Sequence, residues 1–363
     1  MNGILLSFFI RGDILAMRLI YTPVSTSSKD LINCLHPNCF FNPVREMPKN
    51  INTSGKNEYF ADSGGYQIFH YTEKQIKPVI VIPSVGIRNT PNRLVIDPID
   101  LCERFGRLGI KYGFTLDIPL SNEPSEEEFT KNLEESYRWA QLMFQHRYSL
   151  CPDTRFLIPL HYSTKDDLHR YFDRMSELNP EGYAFAVRDQ FYDLAWNVWV
   201  ACTLSFLHSK GVQKAHMLGS SREEVIMIGA AALGLRLFKQ ISFDSRSWNT
   251  LRLKGPPWYF DPVKRQRVYL RSDFFQNTYL SKSVLRKTNL GERLMLSNAW
   301  AISEQANRTL ERAKDIESLK KYIQEHQNLK RKREKILTSI SILEGTAERG
   351  YGFVERWLGR SWA

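Results

Sequence analysis

The chain reads as an α/β protein, a (β/α)8 TIM barrel with an inserted hairpin and a C-terminal helical extension. Three observations predict this. Short apolar runs of nearly uniform length alternate with helix-patterned stretches, as parallel strands held between helices require. Carboxylates recur where those runs end, and the C-terminal strand ends of such a barrel carry its functional groups. No Gly-rich dinucleotide fingerprint appears, which argues against an open doubly wound sheet. The barrel is expected over residues 1–290 and a basic helical extension over 291–363.

The elements follow in order. Residues 4–10 are apolar but lack a positive n-region and a cleavage site, so a core strand is expected rather than a leader. Met17 offers an alternative start, because Met17-Arg18-Leu19-Ile20-Tyr21 also begins a strand. Cys34, His36 and Cys39 resemble metal ligands only superficially, since no fourth ligand lies near and the spacing fits no zinc pattern; no metal is expected. An extended run, Glu58-Tyr59-Phe60-Ala61, meets Asp62-Ser63-Gly64-Gly65-Tyr66-Gln67. Residues 79–83 and 93–98 bracket a turn, as a hairpin inserted in a loop would. A helix is expected over 99–108, then a strand over 112–119 that contains Asp117. Ser125 and Glu128 form a capping box for a helix over 129–146. The unit repeats with strands at 155–161, 182–187, 215–219 and 240–245, separated by helices near 166–178, 194–209 and from Ser221 onward. Further helices are expected over 291–313 and, with seven cations, 320–335.

Composition bounds the partners. A formal charge of +11 and a pI near 9.3 favour a polyanion, because clustered Lys and Arg release counterions from phosphates. Five scattered cysteines give no disulfide framework and suit a reducing compartment, with the cytoplasm as the default. No stretch is apolar enough to span a bilayer, so no membrane is expected. Past Asp244, Arg246, Trp248, Arg252 and Lys254 open a stretch that mixes cations with aromatics. Such a mixture suits gripping phosphates while stacking on bases; a loop covering the barrel with buried aromatics is the other reading. The 320–335 segment is either a nucleic-acid arm or a solvated face.

Asp62, Asp117 and Asp244 each stand at a strand end, so one barrel mouth can gather all three. One carboxylate attacking an anomeric carbon while another protonates the leaving group is the chemistry of a retaining glycosidase. In nucleic acid the leaving group would be a base, extruded and held between apolar faces. Tyr66 and Leu218 offer those faces, Gln67 an amide and Asp117 an edge contact. The Asp-Ser-Gly-Gly string alone serves equally as a strand ending in a tight turn.

The order of five motifs carries a resemblance. Asp62-Ser63-Gly64-Gly65-Tyr66-Gln67 is followed by Asp117 with Glu134-Glu135-Ser136-Tyr137-Arg138-Trp139-Ala140, then Gly182-Tyr183-Ala184, His216-Met217-Leu218-Gly219 and Phe243-Asp244. This resembles the tRNA-guanine transglycosylases over most of residues 59–250. The resemblance implies that Asp244 is the nucleophile on the ribosyl C1′ and Asp62 the general acid/base. It further implies that Tyr66 stacks on the base, that Asp117 bonds its N1/amino edge, and that Gln67, Leu218 and Gly219 line the same site.

The departures sharpen the expectation. His161 stands where the family reads the base with a glutamine, and Leu218 where it usually stacks a methionine. Phe185-Ala186-Val187 replaces a two-glycine stretch, and Arg246-Ser247-Trp248-Asn249 a Pro-Thr-Arg segment. The family's zinc cysteines lie after the nucleophile, yet no cysteine follows Cys202, and Ala299 falls near the zinc histidine's position. The pattern is more similar to the DpdA-type 7-deazaguanine DNA transglycosylases. The expected function is replacement of guanine in DNA by a 7-deazaguanine such as preQ0, without a cofactor. The alternatives are a tRNA enzyme and a non-catalytic nucleic-acid-binding subunit; a homodimer and accessory DNA-modification proteins are open as partners.

Overall fold

The computed structural model describes residues 17–24, 36, 38–42, 44, 58–65, 68, 70–71, 74–121, 124–187, 196–245, 258–261, 266–269, 290–326 and 329–358. Strands β1 (Arg18–Pro23), β2 (Asn38–Phe41) and β3 (Glu58–Ala61) come first. An insert follows, with β4 (Val79–Val81), β5 (Arg88–Asn89) and β6 (Leu94–Ile96). Helix and strand then alternate through α1 (Pro98–Arg107), β7 (Tyr112–Phe114), α2 (Glu126–Leu150), β8 (Arg155–Leu160) and α3 (Lys165–Ser176). The alternation ends with β9 (Gly182–Ala186), α4 (Trp196–Ser209), β10 (Lys214–Leu218), α5 (Glu223–Gly234) and β11 (Gln240–Ser245). An antiparallel ribbon of β12 (Trp258–Asp261) and β13 (Gln266–Tyr269) precedes α6 (Leu290–Ala313), α7 (Ile316–Glu325), α8 (Arg333–Arg349) and α9 (Tyr351–Leu358).

The main sheet has eight strands in the order β1-β11-β10-β9-β8-β7-β3-β2, and every neighbouring pair is parallel. Its two ends meet: Val24 bridges Phe40 in parallel, and Asn38 Nδ2 donates to the Tyr21 carbonyl at 3.2 Å. The (β/α)8 barrel expected from the sequence is therefore present, and all eight strands end at one mouth. Side chains alternate between inside and outside along each strand. Ile20, Phe40, Phe60, Tyr112, Phe114, Leu157 and Ala184 fill the inside. At the opposite end, Glu58 pairs with Arg18 and Lys111, and Glu181 with Lys214 and Arg155.

Helices α4 and α5 are apolar around their whole circumference, buried from Asn197 to Leu207 and from Glu224 to Leu233. A helix without a polar face needs cover on every side. The barrel wall supplies one side, while α6 packs on α5 and α8 packs on both. The contact is close enough that a Cβ on Gly234 would lie 1.9 Å from the Ala313 carbonyl oxygen. Thr346 Oγ1 donates to Ser205 Oγ at 2.7 Å inside this interface.

Three local expectations change. An inserted hairpin exists, but it is formed by β5 and β6; β4 joins it parallel to β6. Asp97 explains the path: it caps α1 through the Ile99 N–H at 2.8 Å while its other oxygen takes the Val85 and Gly86 N–H groups. The Ser125 capping box is half formed, because Glu128 turns to Ser121 instead. The basic segment 320–335 is not one helix: α7 ends at Glu325 and α8 starts at Arg333. Within it, Lys320 pairs with Glu317 and Glu344 and Lys332 with the buried Glu224, so part of its charge serves packing.

Candidate functional site

Asp62 is the residue after β3, and the inward alternation of Glu58 and Phe60 carries it into the barrel mouth. Its N–H extends the sheet to the Phe41 carbonyl at 2.7 Å. Its oxygens accept from Asn42 Nδ2 and from the Ser63 N–H, both at 2.9 Å. Gly64 then takes a φ of +95°, which an L side chain rarely adopts.

Asp117 lies three residues past β7 and is buried. Its Oδ1 accepts from Ser63 Oγ at 2.6 Å, and its Oδ2 is 2.6 Å from His161 Nε2. An ionised carboxylate only accepts, so the proton in the latter bond belongs to the imidazole. A Cβ on Gly65 would lie 2.5 Å from Asp117 Oδ1. The second glycine of the motif therefore makes room for this carboxylate, a neighbour the sequence did not reveal.

Asp244 is the next-to-last residue of β11, on the same inward face as Gln240 and Ser242. Its Oδ1 accepts from the Gly219 N–H at 2.9 Å and faces His216 Nε2 at 3.1 Å. Its Oδ2 takes no hydrogen bond from the described residues. The side chain is 9% exposed, so it reaches the mouth rather than being sealed in the wall.

The three acids feel one another. Burial raises the Asp62 pKa first, and the charges of Asp117 and Asp244 raise it further, against the lowering effect of the Gly64 and Ser63 N–H groups; it is pushed from 3.8 to about 7. A carboxyl poised there can both donate and accept a proton near neutrality. Beneath the acids, Val24 and Leu218 cover the apolar barrel interior and form the floor. Asp62, Asp117, His161, Leu218, Gly219 and Asp244 are thus drawn to one mouth; Tyr66, Gln67, Arg246, Trp248, Arg252 and Lys254 lie outside the described residues.

Four polar residues at the site were not singled out by sequence: Asn42, Ser63, His216 and Ser242. Asn42 and His216 were signalled by alternation, each two residues from an inward partner, Phe40 and Leu218. His36, the middle residue of the Cys/His string, binds Asn38 through Nδ1 and Ser303 through Nε2. Its ring nitrogens serve the fold. Compared with known proteins, the chain matches no family model, and no curated protein is significantly similar to it.

Proposed function

We propose that this barrel exchanges bases in nucleic acid, replacing guanine in DNA by a 7-deazaguanine such as preQ0. One observation carries the proposal: three aspartates remote in sequence meet at one mouth, where burial and the charges of the other two hold the Asp62 carboxyl near neutrality in its acidity. With Oδ1 engaged by Gly219 and His216, Asp244 presents Oδ2 to C1′ of an extruded nucleotide. Its attack forms an aspartyl–C1′ bond as the C1′–base bond breaks, and the departing guanine takes a proton from Asp62. The incoming deazaguanine returns a proton to Asp62, and its ring nitrogen displaces Asp244. No electrons change hands overall, so the exchange is balanced without a redox partner. Asp117 and His161 form the polar edge that reads the base, above the apolar floor of Val24 and Leu218.

The basic balance of the chain supports a polyanionic substrate. The loss of every cysteine beyond Cys202 and the Arg246-Ser247-Trp248-Asn249 segment favour DNA over tRNA. The test mixes the protein and preQ0 with guanine-labelled duplex DNA or with labelled tRNA. Label release from DNA that depends on preQ0 is expected, together with a covalent DNA adduct on denaturing gels. Release from tRNA alone refutes the DNA assignment, and release by Asp244→Ala refutes the nucleophile.

A further inference from the structure

His216 occupies the barrel interior with no solvent exposure. Its ring stacks on Phe40 at 5.7 Å, tilts against Phe60 at 5.4 Å and meets Phe114 edge-on at 5.0 Å. A polar ring among phenyl groups is costly unless both nitrogens are bonded, and here both are. Nδ1 lies 2.8 Å from Ser242 Oγ, and Nε2 lies 3.1 Å from Asp244 Oδ1. A carboxylate supplies no proton, so Nε2 carries the hydrogen. In a neutral ring Nδ1 then accepts from the Ser242 hydroxyl. The carboxylate thereby sets the tautomer, and the Ser242 hydroxyl, which also lies 3.4 Å from the Ala215 carbonyl, turns to satisfy the second nitrogen.

We propose that His216 is a positioning residue that fixes which oxygen of Asp244 attacks. Nε2–H and the Gly219 N–H together engage Oδ1, stop the carboxylate from rotating and leave Oδ2 toward the mouth. Asp244 is the charged group that His216 bonds; Asp62 and Asp117 lie across the mouth, and Phe40, Phe60 and Phe114 carry no charge. Phe packing by itself asks for no nitrogen at this place, so the imidazole is explained by the carboxylate it serves. The inference rests on Asp244 being the nucleophile.

The test measures single-turnover formation of the covalent DNA adduct across pH for wild type, His216→Phe and His216→Gln, with circular dichroism and Tm alongside. Phe keeps a ring of similar size without the donor, whereas Gln returns an N–H near the Nε2 position. His216→Phe is expected to slow adduct formation about 10- to 100-fold, the usual weight of a hydrogen bond to a charged group. Its half-saturating DNA concentration stays unchanged and the acidic limb of its pH profile moves to higher pH. His216→Gln recovers most of the rate. Should the Phe variant fail to fold, Ser242→Ala replaces it, with a smaller slowing and the same direction of pH shift expected. Adduct formation at the wild-type rate without the donor, or an equal loss in Phe and Gln with an unmoved pH profile, overturns the role of His216 and leaves the nucleophile standing. Absence of an adduct in the wild type overturns both.

Discussion

Replacing Asp62 with Asn tests the electrostatics of the mouth directly. The folded protein holds the Asp62 proton more tightly than the unfolded chain, with the pKa raised from 3.8 to about 7. Between these values the native state binds more protons than the unfolded one, so stability falls as pH rises and the loss is complete above about pH 7. At about 1.36 kcal/mol for each tenfold change in acidity, the full cost of ionising Asp62 is about 4 kcal/mol. Asp62 is partly exposed at the mouth, and solvent screening reduces the expected effect to about 2 kcal/mol. Asn has the same shape and no such slope. Urea unfolding of both proteins at pH 4.5 and pH 8 should show the Asn variant gaining about 2 kcal/mol on wild type across that interval. The same variant should lose base exchange, having no proton to give. An Asn variant that gains nothing on wild type between pH 4.5 and pH 8, or loses ground to it, refutes the argument that Asp62 is protonated by burial and by its two acidic neighbours.

Gly65→Ala drives a methyl group to within 2.5 Å of Asp117 Oδ1, so the carboxylate must move off the base edge. Calorimetric titration with preQ0 should show binding weakened by about tenfold or more, and unchanged binding refutes the role given to Asp117. Gly234→Ala meets a backbone carbonyl at 1.9 Å, which has no rotamer to escape into. A lowered Tm, corresponding to about 1 to 3 kcal/mol of overpacking, is expected with the rate of exchange by the folded fraction unaltered.

The barrel was legible because its signals are periodic and repeated: each strand of the main sheet from β7 onward shows an apolar run, and α2 and α3 between them show capping residues. The insert was harder. Two apolar runs flanking a turn look like a hairpin, and only the carboxylate of Asp97, which gathers N–H groups from Val85 and Gly86, sends the chain along another route. The 320–335 segment misled for a related reason. Its many cations draw the eye from a break between α7 and α8, where α8 turns to cover α4 and α5. Among the site residues, the three acids announced themselves at strand ends. Ser63, His216 and Ser242 did not, because Ser63 and His216 act through hydrogen bonds to acids distant in sequence and Ser242 through His216, and alternation tells only that such a residue faces inward.

The rings packed inside the barrel, Phe40, Phe60, Tyr112 and Phe114 among them, make it a solid plug with a single open mouth rather than a pore. Small molecules cannot pass through it from end to end. For the proposed exchange, the outgoing base must vacate by the same opening that admits its replacement, while the nucleic acid itself occupies the rim. That traffic imposes an order of events: first departure, then arrival, with the sugar tethered to the protein in the interval.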